Sequence, residues 1–119
     1  MYEPFVVTTT QLSGRTVIAI SGELDIATCE ELKAALDDAL RDESGAGIGV
    51  DLRRLSFCDS SGLKVLLLAM RQAAMRRIDV VMTRPPQPAW RVFEVSALDT
   101  VLPFVDDAAL DAVVTLRTG

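Results

Sequence analysis

The chain contains no histidine, which removes both the commonest general base and the commonest metal ligand. Most hydrolytic mechanisms lose their usual base as a result. Its two cysteines, Cys29 and Cys58, fit no paired-ligand zinc spacing and supply no disulfide framework. Buried free thiols are the expectation for both, with redox sensing kept open for Cys58 because it adjoins the central motif described below. No apolar run approaches the roughly 20 residues of a membrane span, and the opening Met1-Tyr2-Glu3-Pro4 lacks the basic and apolar regions of a signal peptide. A soluble cytoplasmic protein with no membrane partner is expected. Basic residues are also short: 12 Lys and Arg stand against 17 Asp and Glu, a net charge of −5. Nucleic-acid phosphates are held by clustered Lys and Arg, so this balance argues against a nucleic-acid partner.

What is present is a chain of 119 residues, half of them hydrophobic, read as a single domain over 1–119. That length buries roughly 65% of the surface the unfolded chain exposes. Charge is uneven: residues 1–51 carry ten acids and three bases, residues 52–119 seven acids and nine bases. The asymmetry either steers a basic partner towards the N-terminal half or reflects solvated helix faces.

Phe5 to Thr10 and Thr16 to Ser21 are β-branched runs joined through Ser13-Gly14-Arg15, which predicts a β-hairpin. Val17 and Ala19 alternate with Ile18 and Ile20, so the second strand is covered on both faces, or on one face with a small-residue edge. Gly22-Glu23-Leu24-Asp25 breaks it. A helix follows, with Thr28-Cys29-Glu30-Glu31 as a capping box and a buried stripe of Cys29, Leu32, Ala35, Leu36, Ala39 and Leu40. With Thr28 as the cap, the Asp25 carboxylate is left over in a loop. Gly45-Ala46-Gly47 ends that region, and Ile48 to Leu52 is a third strand, from which Arg53 to Phe57 lead into the central motif. A second helix runs from about Ser61 to Arg77 and a fourth strand over Ile78 to Met82. Arg84-Pro85-Pro86-Gln87-Pro88 is a loop that places proline at a first helical position. Trp90, Phe93 and Ala97 mark one face of a third helix, Leu102 to Val105 form the last strand, and Asp106 caps a final helix through Val113 or Val114. The order is β-β-α-β-α-β-α-β-α: an α/β protein with a mixed sheet of about five strands and about four helices.

The central motif is Cys58-Asp59-Ser60-Ser61-Gly62-Leu63-Lys64, where an apolar strand hands over to an apolar helix. Leu63, Leu66, Leu67, Met70 and Ala74 fall on one face, predicted to be core. Val65, Leu68, Ala69 and Met75 point elsewhere, towards neighbouring helices or a partner. Asp59, Ser60 and Ser61 are all competent N-caps, more than one helix end requires. A surplus hydroxyl beside the free amides of a helix start suits phosphorylation, because that position tolerates added negative charge.

Ser21-Gly22-Glu23-Leu24-Asp25, Gly49-Val50-Asp51-Leu52 and Phe57-Cys58-Asp59-Ser60-Ser61-Gly62-Leu63, in this order over almost the whole chain, resemble the STAS domain of bacterial anti-sigma factor antagonists. The resemblance implies the STAS fold and a partner that is both an anti-sigma factor and a serine kinase. Ser60 matches the serine that the partner phosphorylates, and a PP2C-type phosphatase resets the switch. The position of Asp25 lies beside that serine in the family. Leu24, Asp25, Asp59, Ser61, Gly62, Leu63 and Lys64 are the matching contact residues, and a monomer when free suffices. One departure is local: Ala97 stands before Leu98 where the family commonly has glycine, which implies a helix end without a left-handed glycine cap. Arg53, Arg54 and Lys64 either pair with acids of the kinase or are solvated.

Two other functions compete. One is a scaffold or ligand-sensing STAS module that is never phosphorylated. The other is an enzyme with Ser60 as nucleophile and Asp25 or Asp59 as base. The enzyme fails on the absence of histidine, of a Gly-rich phosphate loop and of a glycine two residues before Ser60 to form a nucleophile elbow. No cofactor or metal is expected, and phosphate chemistry belongs to the partners.

Overall fold

β-Branched residues put the start of the chain into a hairpin, strands β1 (Val6–Leu12) and β2 (Arg15–Leu24), paired antiparallel from Val6 opposite Ser21 to Leu12 opposite Arg15. The computed structural model describes residues 4–12, 14–42 and 47–115. Helix α1 (Cys29–Arg41) follows, then β3 (Gly47–Cys58), α2 (Ser60–Met75), β4 (Val80–Thr83), α3 (Ala89–Val95), a 3-10 turn at Leu98–Thr100, β5 (Phe104–Val105) and α4 (Asp107–Thr115). Strand order in the sheet follows the chain, with β2, β3, β4 and β5 successively parallel. This is the mixed five-stranded sheet with four helices that the sequence predicts.

Two strands run further than expected. β2 does not break at Gly22 but continues to Leu24, and β3 extends past Leu52 through Arg53–Phe57 to Cys58. The register explains both. Ala19 faces Asp51 but Ser21 faces Arg54, and Gly22 faces Leu55 but Glu23 faces Phe57, so β3 carries one extra residue at each of two bulges. Its buried positions are then Leu52, Leu55 and Cys58, three apart rather than two. Gly22 takes φ +92, and a Cβ there would lie 2.8 Å from the Pro4 carbonyl oxygen, so the chain entering β1 crosses too close for any side chain. Smaller differences concern ends: the fourth strand is displaced by one or two residues from Ile78–Met82, and the last strand is confined to its final two residues. Ser13 and the Gly45-Ala46 break lie outside the described residues, and Gly47 already begins β3.

The core lies where α1 and α2 pack on one another and on the sheet. Leu32, Leu36 and Leu40 of α1 meet Ile18, Ile20, Val50, Leu52 and Leu55 of β2 and β3 in one buried cluster, joined by Leu63 and Leu66 of α2. The Ile18/Ile20 side of β2 is buried and the Val17/Ala19 side half-buried, with Leu110 of α4 standing over Gly49 on that second side. The inner face of α2 is rotated from expectation: Ala69 and Ala73 are buried, Leu67 and Met70 half-buried, and Ala74 exposed. Small residues face α1 because the two helices approach closely there, and their ends are tied by the Arg76 guanidinium donating to the Leu40 carbonyl at 2.7 Å. In α3, Phe93 is fully buried, but Ala97 is exposed and lies beyond the helix, in the left-handed conformation at φ +62. Alanine itself thus makes the turn that glycine usually makes, at a steric cost.

Candidate functional site

The long β3 delivers Asp59 to the end of the sheet in extended conformation, which makes it, of the three candidates, the residue able to cap α2. Its backbone N–H donates to the Leu24 carbonyl at 3.1 Å, joining the end of β2 to the start of α2. Its carboxylate accepts from the Ser61 N–H at 2.9 Å and the Gly62 N–H at 3.3 Å. Ser60 is therefore the first helical residue, exposed, and its hydroxyl makes no hydrogen bond among the described residues. Ser61 is half-buried behind it.

The loop after β2 corrects the expected capping box. Thr28 does not cap α1 with its hydroxyl, which instead accepts from the Asp25 N–H at 2.9 Å and donates to the Glu23 carbonyl at 2.8 Å. Exposed Glu31 does not complete a box. The Asp25 carboxylate is not left over: its Oδ1 accepts from the Ala27 and Thr28 amides at 2.9 and 3.1 Å. Aspartate bonding two residues onward closes a tight turn, and that turn holds Ile26 at 78% exposure.

Beneath this surface lie the apolar members of the motif. Leu24 is fully buried, Leu63 nearly so, and Gly62 is enclosed, with space for a Cβ already filled by Leu24 and by the Cys58 sulfur. These three shape the site from below, whereas Asp25, Ser60, Ser61 and Lys64 offer side chains at the surface. Burial and the neighbouring Asp59 charge push the Cys58 thiol up to about 12, so it stays protonated at neutral pH and is a poor nucleophile. Cys29 is buried as well.

Ser60 also borders an open groove of about 430 Å³ whose other walls are Leu63 of α2 and Pro88, Arg91, Val92, Val95 and Ser96 around α3. Val95 is 75% exposed. This wall is not among the contact residues expected from the sequence. Its signal was the pair Val92 and Val95, apolar residues off the Trp90/Phe93 face. Among the described residues no group of three His, Cys, Asp or Glu side chains could hold a metal ion, and no helix is long and apolar enough to cross a membrane.

A family model described as "Mlab, STAS domain" matches residues 7–106. The chain belongs to the STAS domain family. Its STAS fold is similar to that of SpoIIAA in the unphosphorylated form, with a TM-score of 0.76 and 25% identity over 96% of this chain and 98% of that one. Against the Bacillus cell fate determinant SpoIIAA in the phosphorylated form, the TM-score is 0.66 at 27% identity, over 92% and 99% of the two chains. Among curated relatives, the anti-sigma F factor antagonist of Paenibacillus polymyxa is 28% identical over 94 residues, 79% of this chain and 80% of that protein.

Three cations of this STAS domain near the motif divide into two kinds. Arg53 is half-buried and paired with two acids of its own chain. Its guanidinium holds Asp51 through two contacts of 3.0 Å and reaches Asp111 on α4 at 3.0 Å. Burial raises the Asp51 carboxyl, but the Arg53 side chain and backbone amide, with the Thr83 hydroxyl, outweigh it and hold the group below the ordinary carboxylate range. Hydrogen bonds to Asp51 and Asp111 raise Arg53 in turn. Arg54 and Lys64 are exposed and form no ion pair among the described residues.

Proposed function

We propose that this chain is an anti-sigma factor antagonist that binds an anti-sigma factor with serine kinase activity, releases the sigma factor, and is switched off by phosphorylation of Ser60. A PP2C-type phosphatase removes the phosphate. The observation that carries the reading is the division of labour at the start of α2: Asp59 does the capping, which leaves the exposed Ser60 hydroxyl uncommitted. The similarity to SpoIIAA, solved both with and without phosphate, and to the Paenibacillus antagonist supports it.

The contact surface combines Asp25, Ser60, Ser61 and Lys64 with the apolar wall of Pro88, Val92 and Val95. Leu24, Gly62 and Leu63 hold its shape. A phosphate adds nearly two negative charges at its centre. Burying that group against a partner that offers it no cation costs several kcal/mol, and each 1.4 kcal/mol is about tenfold in affinity.

The test incubates the protein with an anti-sigma factor kinase and Mg-ATP, locates phosphate by mass spectrometry, and measures binding of the parent, Ser60→Ala and Ser60→Asp. Phosphate is expected on Ser60, with Ser60→Ala binding unphosphorylated and Ser60→Asp binding weakly. Ser60→Asp binding as tightly as the parent refutes the electrostatic switch, and absence of phosphate favours a scaffold or ligand-sensing module.

A further inference from the structure

Arg91, from α3, lines the same groove as Ser60. Lys64 stands at i+4 from Ser60 on the exposed side of α2, the spacing at which helix side chains meet. Both are exposed, and neither side chain makes an ion pair or a hydrogen bond among the described residues. Four other cations are engaged, Lys33 with Asp37, Arg41 with Asp38, Arg53 with Asp51 and Asp111, and Arg84 with Asp106, whereas Arg54, Arg71 and Arg77 are exposed without an ion pair among the described residues and do not line this groove. One uncommitted hydroxyl thus shares its groove with one uncommitted cation and its helix face with another. The neighbouring acids are occupied by backbone amides. The Asp59 carboxylate serves the amides of Ser61 and Gly62, and that of Asp25 serves Ala27 and Thr28.

We propose that Arg91 and Lys64 form an intramolecular receptor for the phosphate on Ser60, with Arg91 drawn across the groove to hold it. The inference rests on the reading of Ser60 as the modified residue. A phosphate monoester presents three acceptor oxygens and nearly two charges. A guanidinium matches two of those oxygens with its planar fork, and an ammonium supplies a point charge from the other side. The apolar lining of Pro88, Val92 and Val95 excludes part of the water that would otherwise screen the contact. Closing Arg91 over that lining also removes the groove from the surface a partner can use. Phosphorylation then acts by covering a contact as well as by charge.

The experiment uses the full chain with phosphoserine installed at position 60 during translation, so that no kinase is needed. Phosphorus NMR titration of this protein is compared with the same protein carrying Arg91→Gln and Lys64→Gln. Phosphoserine ordinarily loses its second proton near pH 6. Two cations favour the dianion, so the parent is expected to titrate roughly half a pH unit lower than the double variant, and the gap is expected to narrow in high salt. Identical titration overturns the receptor. Amide shifts of residues 88–96 give a second measurement: they are expected to move on phosphorylation in the parent and to stay in place in Arg91→Gln, and equal movement in both overturns the Arg91 contact. Should no anti-sigma factor kinase modify Ser60, the proposed function fails while these titrations still report on the receptor.

Discussion

Gly62 lies against Leu24 so closely that a methyl group at position 62 would come within 2.6 Å of the Leu24 Cγ. Leu24 is fully buried and its carbonyl is held by the Asp59 amide, so it cannot yield cheaply. Overpacking of this kind costs roughly 1–3 kcal/mol, of which the better helix propensity of alanine returns up to about 1 kcal/mol. Gly62→Ala is expected to lower the urea midpoint in the parent and to be neutral or stabilising in a Leu24→Ala background. Simple additivity of the two substitutions would show that the contact does not couple them.

Asp59 supplies the side-chain cap of α2, through the Ser61 and Gly62 amides. Asp59→Ala is expected to cost about 1 kcal/mol, Asp59→Asn much less, and Ser60→Ala next to nothing. Thermal or urea unfolding of the three variants checks the order. A cost at Ser60 equal to that at Asp59 would mean that the serine hydroxyl shares the capping and is not free.

The Asp51–Arg53 pair predicts a specific acid sensitivity. Because the folded protein holds the Asp51 carboxyl below its unfolded value, the group contributes stability above about pH 4 and loses it as the pH falls through the folded value. Asp51→Asn removes this contribution. Its unfolding free energy is expected to be lower by about 1–3 kcal/mol at neutral pH and to vary less between roughly pH 2 and 5 than that of the parent. Asp111→Asn, at an exposed site, is expected to cost less than about 1 kcal/mol.

Ala97 occupies the left-handed region at φ +62 after α3. A side chain there is strained by roughly 1–2 kcal/mol, while glycine loses about 0.4–1 kcal/mol more chain entropy on folding. Ala97→Gly is therefore expected to raise stability by about 0.5 kcal/mol, measurable as a higher melting temperature. A lower one would show that the Ala97 methyl group contributes packing.

Periodicity and capping chemistry made much of this architecture readable in advance. The alternation of β-branched runs with i, i+3, i+4 stripes determined the element order, and Cys29, Leu32, Leu36, Ala39 and Leu40 proved to be the buried stripe of α1. The second half of β3 escaped because two bulges replace the two-residue period of a strand with a spacing of three at Leu52, Leu55 and Cys58. The orientation of α2 escaped for the opposite reason. That helix is apolar almost all round, so no period selects a face, and only the approach of α1 buried Ala69 and Ala73.

At the site the division is similar. Sequence alone determined that a carboxylate and two hydroxyls meet where a strand becomes a helix, since such residues cluster at helix starts for local reasons. Which of them caps, and which stays free, was decided by how β3 arrives: Asp59 is the last extended residue, anchored by the Leu24 carbonyl, and Ser60 is already helical. Thr28 and Asp25 could each have served either end of their turn, and the Glu23 carbonyl settled it by accepting the threonine hydroxyl. The groove of Pro88, Arg91, Val92 and Val95 could be assembled only in three dimensions, because it brings residues about thirty or more positions from Ser60 to the start of α2. Local chemistry is written in neighbouring residues, whereas a surface shared by distant segments exists only once the core has brought them together.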